Sequence, residues 1–196
     1  MENRAEQWTR AAKDQLEDVP SAGEDAPDDE VLTDAADAVL RAADREHGGF
    51  GTGQKFPQEA RLHLLLRAYD ATGRDVYRDV AVQTLDAMAD GGLYDQLGGG
   101  FHRYCTDRDW TVPHFEKMLY DNAELPRIFL AGYQLTGDQR YRTVTEETLE
   151  FVRRELTHDD GGFFSTLDAR SPDEDGENVE GAFYVWTPEA VRSVLD

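Results

Sequence analysis

YDATGRDVYRDVAVQTLDAM (69–88) and YQLTGDQRYRTVTEETLEFV (133–152) decide the fold. The two stretches align without a gap at an offset of 64 residues. Eight of 20 positions are identical: Tyr69/Tyr133, Thr72/Thr136, Gly73/Gly137, Tyr77/Tyr141, Arg78/Arg142, Val80/Val144, Thr84/Thr148 and Leu85/Leu149. Each reads as a helix end, a Thr-Gly turn and the next helix, because glycine after a helix reaches the left-handed geometry that closes it. Outward from the repeat, apolar residues recur at helical spacing. Leu32, Ala35, Ala36, Val39 and Ala43 form one stripe, Leu62, Leu65, Leu66 and Tyr69 a second, and Val76, Val80, Thr84 and Met88 a third. A fourth helical stretch covers 114–135 and is interrupted by Pro126, which predicts a kink. Tyr141, Val144, Thr148, Val152 and Leu156 form a fifth stripe, and a sixth helix opens at Pro188.

Three Gly-Gly pairs stand ahead of an apolar or aromatic residue: Gly48-Gly49-Phe50, Gly91-Gly92-Leu93 and Gly161-Gly162-Phe163. A helix pair repeated at long period buries its apolar face against its neighbours, so the expectation is a ring or superhelix of hairpins. The fold class is all-α, with short β-hairpins confined to the Gly-Gly turns. A generic stack of helix pairs needs only one capping glycine per turn. Paired glycines ahead of an aromatic suit a tight loop at the mouth of a cavity.

Composition narrows the function. The 196 residues carry 41 acidic against 20 basic side chains, a net charge of -21, and only three of the basic residues are lysine. Such a surface repels nucleic acid and anionic membranes, and it suits concentrated salt, where self-repulsion is screened. Neither a membrane-spanning apolar run nor a signal-peptide pattern is present, which points to a cytoplasmic, salt-adapted protein. The lone Cys105 excludes an intrachain disulfide and reads as a packed side chain rather than a nucleophile. Residues 1–30 read as a helical tail and acidic linker, with DQLEDVPSAGEDAPDDE at 14–30. The compact domain is expected over 31–196, truncated at its C-terminus.

GGFGTGQKFP (48–57), GGLYDQLGGGFHRYCTDRDWTVPHFEKMLYDNAEL (91–125) and GGFFSTLDARSPDEDGENVEGAFYVWTPE (161–189) together resemble the toroid part of the spermatogenesis-associated protein 20 family, the thioredoxin-domain-containing proteins. The resemblance covers nearly all of 31–196. It implies an (α/α) toroid like those of six-hairpin glycosidases and N-acylglucosamine 2-epimerases, here about three hairpins of six. Members of that family usually carry a thioredoxin-like domain, for which nothing in this sequence stands. Likeness to sugar epimerases is a matter of fold, which does not fix function.

The chemistry concentrates in DQLGGGFHRYCTDRDWTVPHFEKMLYDN (95–122). Glycines 98–100 let the chain turn sharply, and Phe101 to Thr106 reads as extended, placing His102, Tyr104 and Thr106 on one side. Pro113 is expected to open a helix carrying His114, Glu116, Lys117 and Asp121. Acid–base work on a sugar needs imidazoles and carboxylates beside rings. His102, His114 and Glu116 are therefore the catalytic candidates. Arg103 and Lys117 would anchor charge, and Tyr104, Trp110 and Phe115 would stack on a sugar, with Asp95, Gln96, Asp121 and Asn122 as further polar contacts. Lys55 would line the same mouth. Asp168 and Glu180 flank an acidic loop whose carboxylates suit acid–base chemistry or simple solvation. His63 reads as surface. No metal-ligand or phosphate-loop spacing occurs, and no cofactor is expected.

The expected ligand is a sugar or sugar phosphate. The leading function is a carbohydrate-active toroid of epimerase, isomerase or glycosidase type. The alternatives are a non-catalytic scaffold for a thioredoxin-like domain or for the remainder of the toroid, and an inactive fragment.

Overall fold

The structure, a computed structural model, describes residues 30–173 and 175–195. The tail and linker expected over 1–30 thus lie, but for Glu30, outside the described residues. The elements are α1 (Val31–Arg41), α2 (Glu59–Thr72), α3 (Asp75–Asp90), β1 (Tyr104–Cys105), β2 (Pro113–His114), β3 (Lys117–Met118), α4 (Leu119–Thr136), α5 (Gln139–Glu155), β4 (Thr166–Leu167), β5 (Arg170–Pro172), β6 (Asn178–Glu180) and α6 (Pro188–Leu195). The strands form three antiparallel pairs, β1 with β2, β3 with β4 and β5 with β6.

The internal repeat is two helix hairpins. Gly73 closes α2 at φ 68° and Gly137 closes α4 at φ 75°. Their N–H groups donate to Tyr69 O at 2.7 Å and Tyr133 O at 2.8 Å. The repeated tyrosines fasten successive hairpins together. Tyr77 Oη donates to Asp37 Oδ1 on α1 at 2.6 Å, and Tyr141 Oη to Asp86 Oδ1 on α3 at 2.8 Å. Arg74 and Arg140 reach those same carboxylates at 3.1 and 2.9 Å. Leu62, Leu65 and Ala68 of α2, Val80, Leu85 and Met88 of α3, Leu125, Ile128 and Phe129 of α4, and Tyr141 and Val144 of α5 form one buried core. Each fully buried Leu or Phe contributes about 1.5–3 kcal/mol.

The structure departs from the expectations in two places. First, the turns that repeat are Gly48-Gly49-Phe50, Gly99-Gly100-Phe101 and the turn at Gly161–Phe163, not Gly91-Gly92-Leu93. Asp44 N–H donates to Gly49 O at 2.9 Å, Asp95 N–H to Gly100 O at 3.0 Å and His158 N–H to Gly162 O at 2.8 Å. The preceding residues bridge the aromatics, Ala43 with Phe50, Tyr94 with Phe101 and Thr157 with Phe163. At Gly100, φ is +78° and a side chain would run into the Phe151 ring. Gly91 and Gly92 instead pass against the backbone of Trp110 and Thr111.

Second, Pro113 opens no helix. Pro113 and His114 pair with Cys105 and Tyr104, and Lys117 and Met118 pair with Leu167 and Thr166, so the helix starts at Leu119. The helical face drawn through His114, Lys117 and Asp121 therefore does not exist. The helix α4 runs from Leu119 to Thr136 with Pro126 buried within it. No helix among the described residues is long and apolar enough to cross a membrane.

Candidate functional site

Several expected site residues are structural. Lys55 is fully buried, and its Nζ donates to Asp44 Oδ2 at 2.8 Å, Gly48 O at 2.8 Å and Gly51 O at 3.1 Å. Arg108 adds two hydrogen bonds to the same carboxylate. Against the cost of burial, Arg108 and Lys55 hold the Asp44 carboxyl well below the usual range. The second turn repeats the knot: Lys117 Nζ donates to Asp95 Oδ2 at 2.6 Å and Gly99 O at 2.8 Å. Lys55 and Lys117 thus hold turns, and Asp95 holds its turn while also lining an open groove with Tyr184 and Phe183.

Trp110 is also no sugar platform. It is 1% exposed, packs against Gly49 and donates its indole N–H to His47 O at 3.0 Å. Asn122 is buried; its Oδ1 accepts the Phe101 N–H at 2.7 Å and its Nδ2 donates to Phe101 O at 3.0 Å. Gln96 donates to Ala89 O at 2.8 Å, and exposed Asp168 accepts the Arg170 N–H at 2.9 Å. His102 is buried, with Nδ1 3.1 Å from Phe115 O, and sits edge-on to Phe115 and Tyr184. Burial and the Lys117 ammonium push its pKa down to about 4, so it is a neutral packing group. Phe115 stacks on Tyr184 and is covered by Gly181. Cys105 is buried and its thiol is pushed up to about 12 by burial, so it stays protonated.

The remaining candidates converge. The β1–β2 pair sets Tyr104 opposite His114, their rings stacked at 5.0 Å. His114 Nδ1 lies 2.8 Å from Glu180 Oε1, and Nε2 lies 3.8 Å from Glu116 Oε2. The ring is thus held between two carboxyl groups, Glu180 at Nδ1 and Glu116 on the Nε2 side. Glu116 is steadied by Thr166 Oγ1, which donates to its Oε1 at 3.2 Å. Arg103 Nη1 donates to Asp121 Oδ1 at 3.3 Å. Its guanidinium lies between Phe56, 5.2 Å from the ring centre, and Tyr120, 5.0 Å away. Phe56 in turn stacks on Tyr104 at 4.7 Å. Asp121 is 2% exposed, and burial pushes its pKa up to about 7 although Arg103 acts to lower it.

Five residues of this surface were missed in the sequence: Phe56, Glu59, His63, Tyr120 and Thr166. His63, expected at the surface, is half-buried with its Nε2 enclosed, and Glu59 bears on Asp121 from the first turn of α2. A carboxylate in a first helical turn is commonplace, because it complements the helix dipole. Only the approach of α2 to α4 brings the Glu59 charge to bear on Asp121. The Lys-x-Pro spacing at 55–57 was the one available signal for Phe56.

No family model matches the chain. Spermatogenesis-associated protein 20 of Mus musculus is 45% identical over 157 residues, which is 78% of this chain and 20% of that protein. Its Homo sapiens counterpart is 46% identical over the same share of each. The chain therefore spans about a fifth of the length of the curated relatives it matches. Among solved structures, a sugar epimerase from a ruminal bacterium superposes with a TM-score of 0.63 at 20% identity, over 71% of this chain and 39% of that one. The cellobiose 2-epimerase of Spirochaeta thermophila DSM 6192 gives 0.59 at 22% identity, over 72% and 42%. At such identities the likeness is one of fold, and the fold is that of six-hairpin toroids. With 45% identity over 78% of its length, the chain is a homologue of a segment of spermatogenesis-associated protein 20, folded as part of an (α/α) toroid.

Proposed function

We propose that the surface around Arg103, Tyr104, His114, Glu116, Asp121 and Glu180 binds a sugar or sugar phosphate and moves protons on it, in the manner of a sugar isomerase or epimerase. The observation that carries this is the His114 imidazole, oriented through Nδ1 by Glu180 at 2.8 Å with Nε2 turned toward Glu116. An imidazole held by one carboxylate beside a second is the kind of group that moves protons in acid–base catalysis.

In the step envisaged, His114 Nε2 takes the proton from the carbon beside the carbonyl of an open-chain sugar. The electron pair moves onto the carbonyl oxygen, and Arg103 stabilises the resulting enediolate. Return of the proton, to the same carbon from the other face or to its neighbour, gives an epimer or an isomer. Glu116 is placed to move the hydroxyl proton. Tyr104, and Tyr120 with its ring 49% exposed, offer faces for the sugar. The sugar epimerases among the structural neighbours support the class by fold alone.

The test is deuterium exchange. The chain is incubated with reducing sugars and their phosphates in deuterated buffer, and label at the carbon beside the carbonyl is read by NMR. Exchange should occur and fall by about 10²–10⁴-fold in His114→Gln, the usual worth of a general base. Exchange that survives this substitution, or its absence with every sugar, would contradict the proposal.

A second reading, a scaffold that holds the remainder of the toroid or a thioredoxin-like domain, is favoured by a different face. Phe183, Val185 and Trp186 are exposed and line an open groove of about 770 Å³, and Val194 and Leu195 are exposed on α6. Clustered exposed apolar side chains mark association surfaces.

A further inference from the structure

The tyrosine latch between hairpins repeats, and its next acceptor stands on the surface. Tyr77 of α3 donates to Asp37 of α1, and Tyr141 of α5 donates to Asp86 of α3. Asp86 belongs to the 64-residue repeat, and its counterpart on α5 is Glu150. The Glu150 side chain is half-exposed and pairs with Arg153 one turn along the same helix, at 2.5 Å. Among the described residues no tyrosine donates to it.

The packing beside the latch differs in the same way. Leu85, next to Asp86, is fully buried. A Cβ on Gly132 of α4 would stand 2.7 Å from Leu85 Cδ1 and 3.0 Å from the Tyr141 ring. The second hairpin thus closes over Leu85 with a residue that has no side chain, and nine positions later comes the tyrosine that reaches Asp86. Ala68 and Tyr77 keep that spacing in the first hairpin. Leu149, the counterpart of Leu85, is 53% exposed. The inward positions do not differ: Val144 and Thr148 are buried like Val80 and Thr84. The α5 helix is therefore turned as α3 is, and the same leucine is covered in one unit and bare in the next for want of a neighbour. Exposed leucine at a position that the repeat buries marks an association surface.

A second copy of this chain fits the place poorly. A tyrosine hydroxyl donates one hydrogen, and Tyr77 and Tyr141 have given theirs to Asp37 and Asp86. A second copy would have to open one of its own latches, and it would bring a net charge of -21 against the same charge.

We propose that the face of the α4–α5 hairpin centred on Leu149 and Glu150 docks a further helix hairpin of the same repeat. Its first helix lays a small residue over Leu149, and its second, nine residues on, donates a tyrosine hydroxyl to Glu150. This goes beyond the chemistry read at His114, and its test can fail without touching that reading.

The experiment titrates the whole chain with a synthetic peptide of residues 119–155, the hairpin that covers Leu85 and Asp86. The peptide carries Leu149→Asp so that it does not dock on itself. Binding is read by calorimetry in about 1 M potassium chloride, where the screening length falls to about 3 Å and like charge no longer repels at a distance. The peptide should bind, and Leu149→Asp in the chain should abolish binding. Tyr141→Phe in the peptide and Glu150→Gln in the chain should each weaken it about tenfold, as for a hydrogen bond to a charged acceptor. The two together should weaken it no more than either alone. Leu149 and Glu150 are at least half-exposed, so the chain's own folding does not confound the result. No binding, or binding that survives Leu149→Asp, overturns the inference. Binding indifferent to both Tyr141→Phe and Glu150→Gln overturns the latch. A chain that dimerises by itself in sedimentation, and stops doing so in Leu149→Asp, overturns the occupant in favour of a second copy.

Discussion

At the residue scale, Asp121 and His102 give pH dependences of opposite sign. Asp121 has a pKa of about 7 in the folded chain, above the ordinary carboxylate value of about 3.9. A raised folded pKa means that the folded state holds the proton more tightly. Its contribution is complete below the unfolded value and is lost as the pH rises through about 7. His102, pushed down to about 4, contributes above the ordinary imidazole value of about 6.5 and loses that contribution as the pH falls through about 4. Replacing Asp121 with Asn removes the first slope alone. Urea midpoints of Asp121→Asn should gain on the native chain as the pH rises from about 4 to about 7 and hold the gain above that. Parallel profiles for the two proteins would show that Asp121 ionises normally. In the sequence His102 and His114 were indistinguishable, since both are imidazoles beside aromatics. What separates them is that Phe115 and Tyr184 enclose one while the β1–β2 pair lifts the other beside Glu180.

At the element scale, the Gly-Gly-aromatic turns are ion-locked knots. Asp44 with Lys55 and Asp95 with Lys117 occupy matching places, each lysine also bonded to a turn carbonyl. Removing one partner of such a buried pair strands the other. Lys117→Met should cost about 3–5 kcal/mol in denaturant unfolding. Adding Asp95→Asn should recover part of it, because the stranded charge is gone. A cost near zero in the single variant would show that the pair does not hold the turn. The hairpins were legible because Thr72-Gly73 and Thr136-Gly137 carry their own caps. The shared spacing Asp44-x-x-x-Gly48-Gly49-Phe50 and Asp95-x-x-x-Gly99-Gly100-Phe101 was also in the sequence, but Gly91-Gly92 competed with it. The helix expected at Pro113 failed for a tertiary reason. Residues 113–114 pair with 104–105 and residues 117–118 with 166–167, and no local pattern announces the second pairing, across about fifty residues.

At the scale of the whole molecule, charge and site make separate predictions. With a net charge of -21, self-repulsion should weaken the compact state in dilute buffer, and screening should relieve it. The thermal midpoint should rise from about 0.05 M to about 2 M potassium chloride. A flat profile would remove the salt-adapted reading. The partial toroid was legible because its repeat is local, whereas the site was legible only in part. Arg103, Tyr104, His114, Glu116 and Asp121 lie within one motif, but Glu59 and Glu180 reach them from hairpins far along the chain. The central claim is that ligand chemistry sits at His114 and not in the buried network of His102 and Trp110. The direct measurement is histidine-selective NMR of the chain, which holds five histidines, during titration with a sugar. The His114 resonances should move with ligand while those of His102, His47 and His158 stay fixed. Movement of His102 with His114 unchanged, or no movement in any histidine, would contradict it.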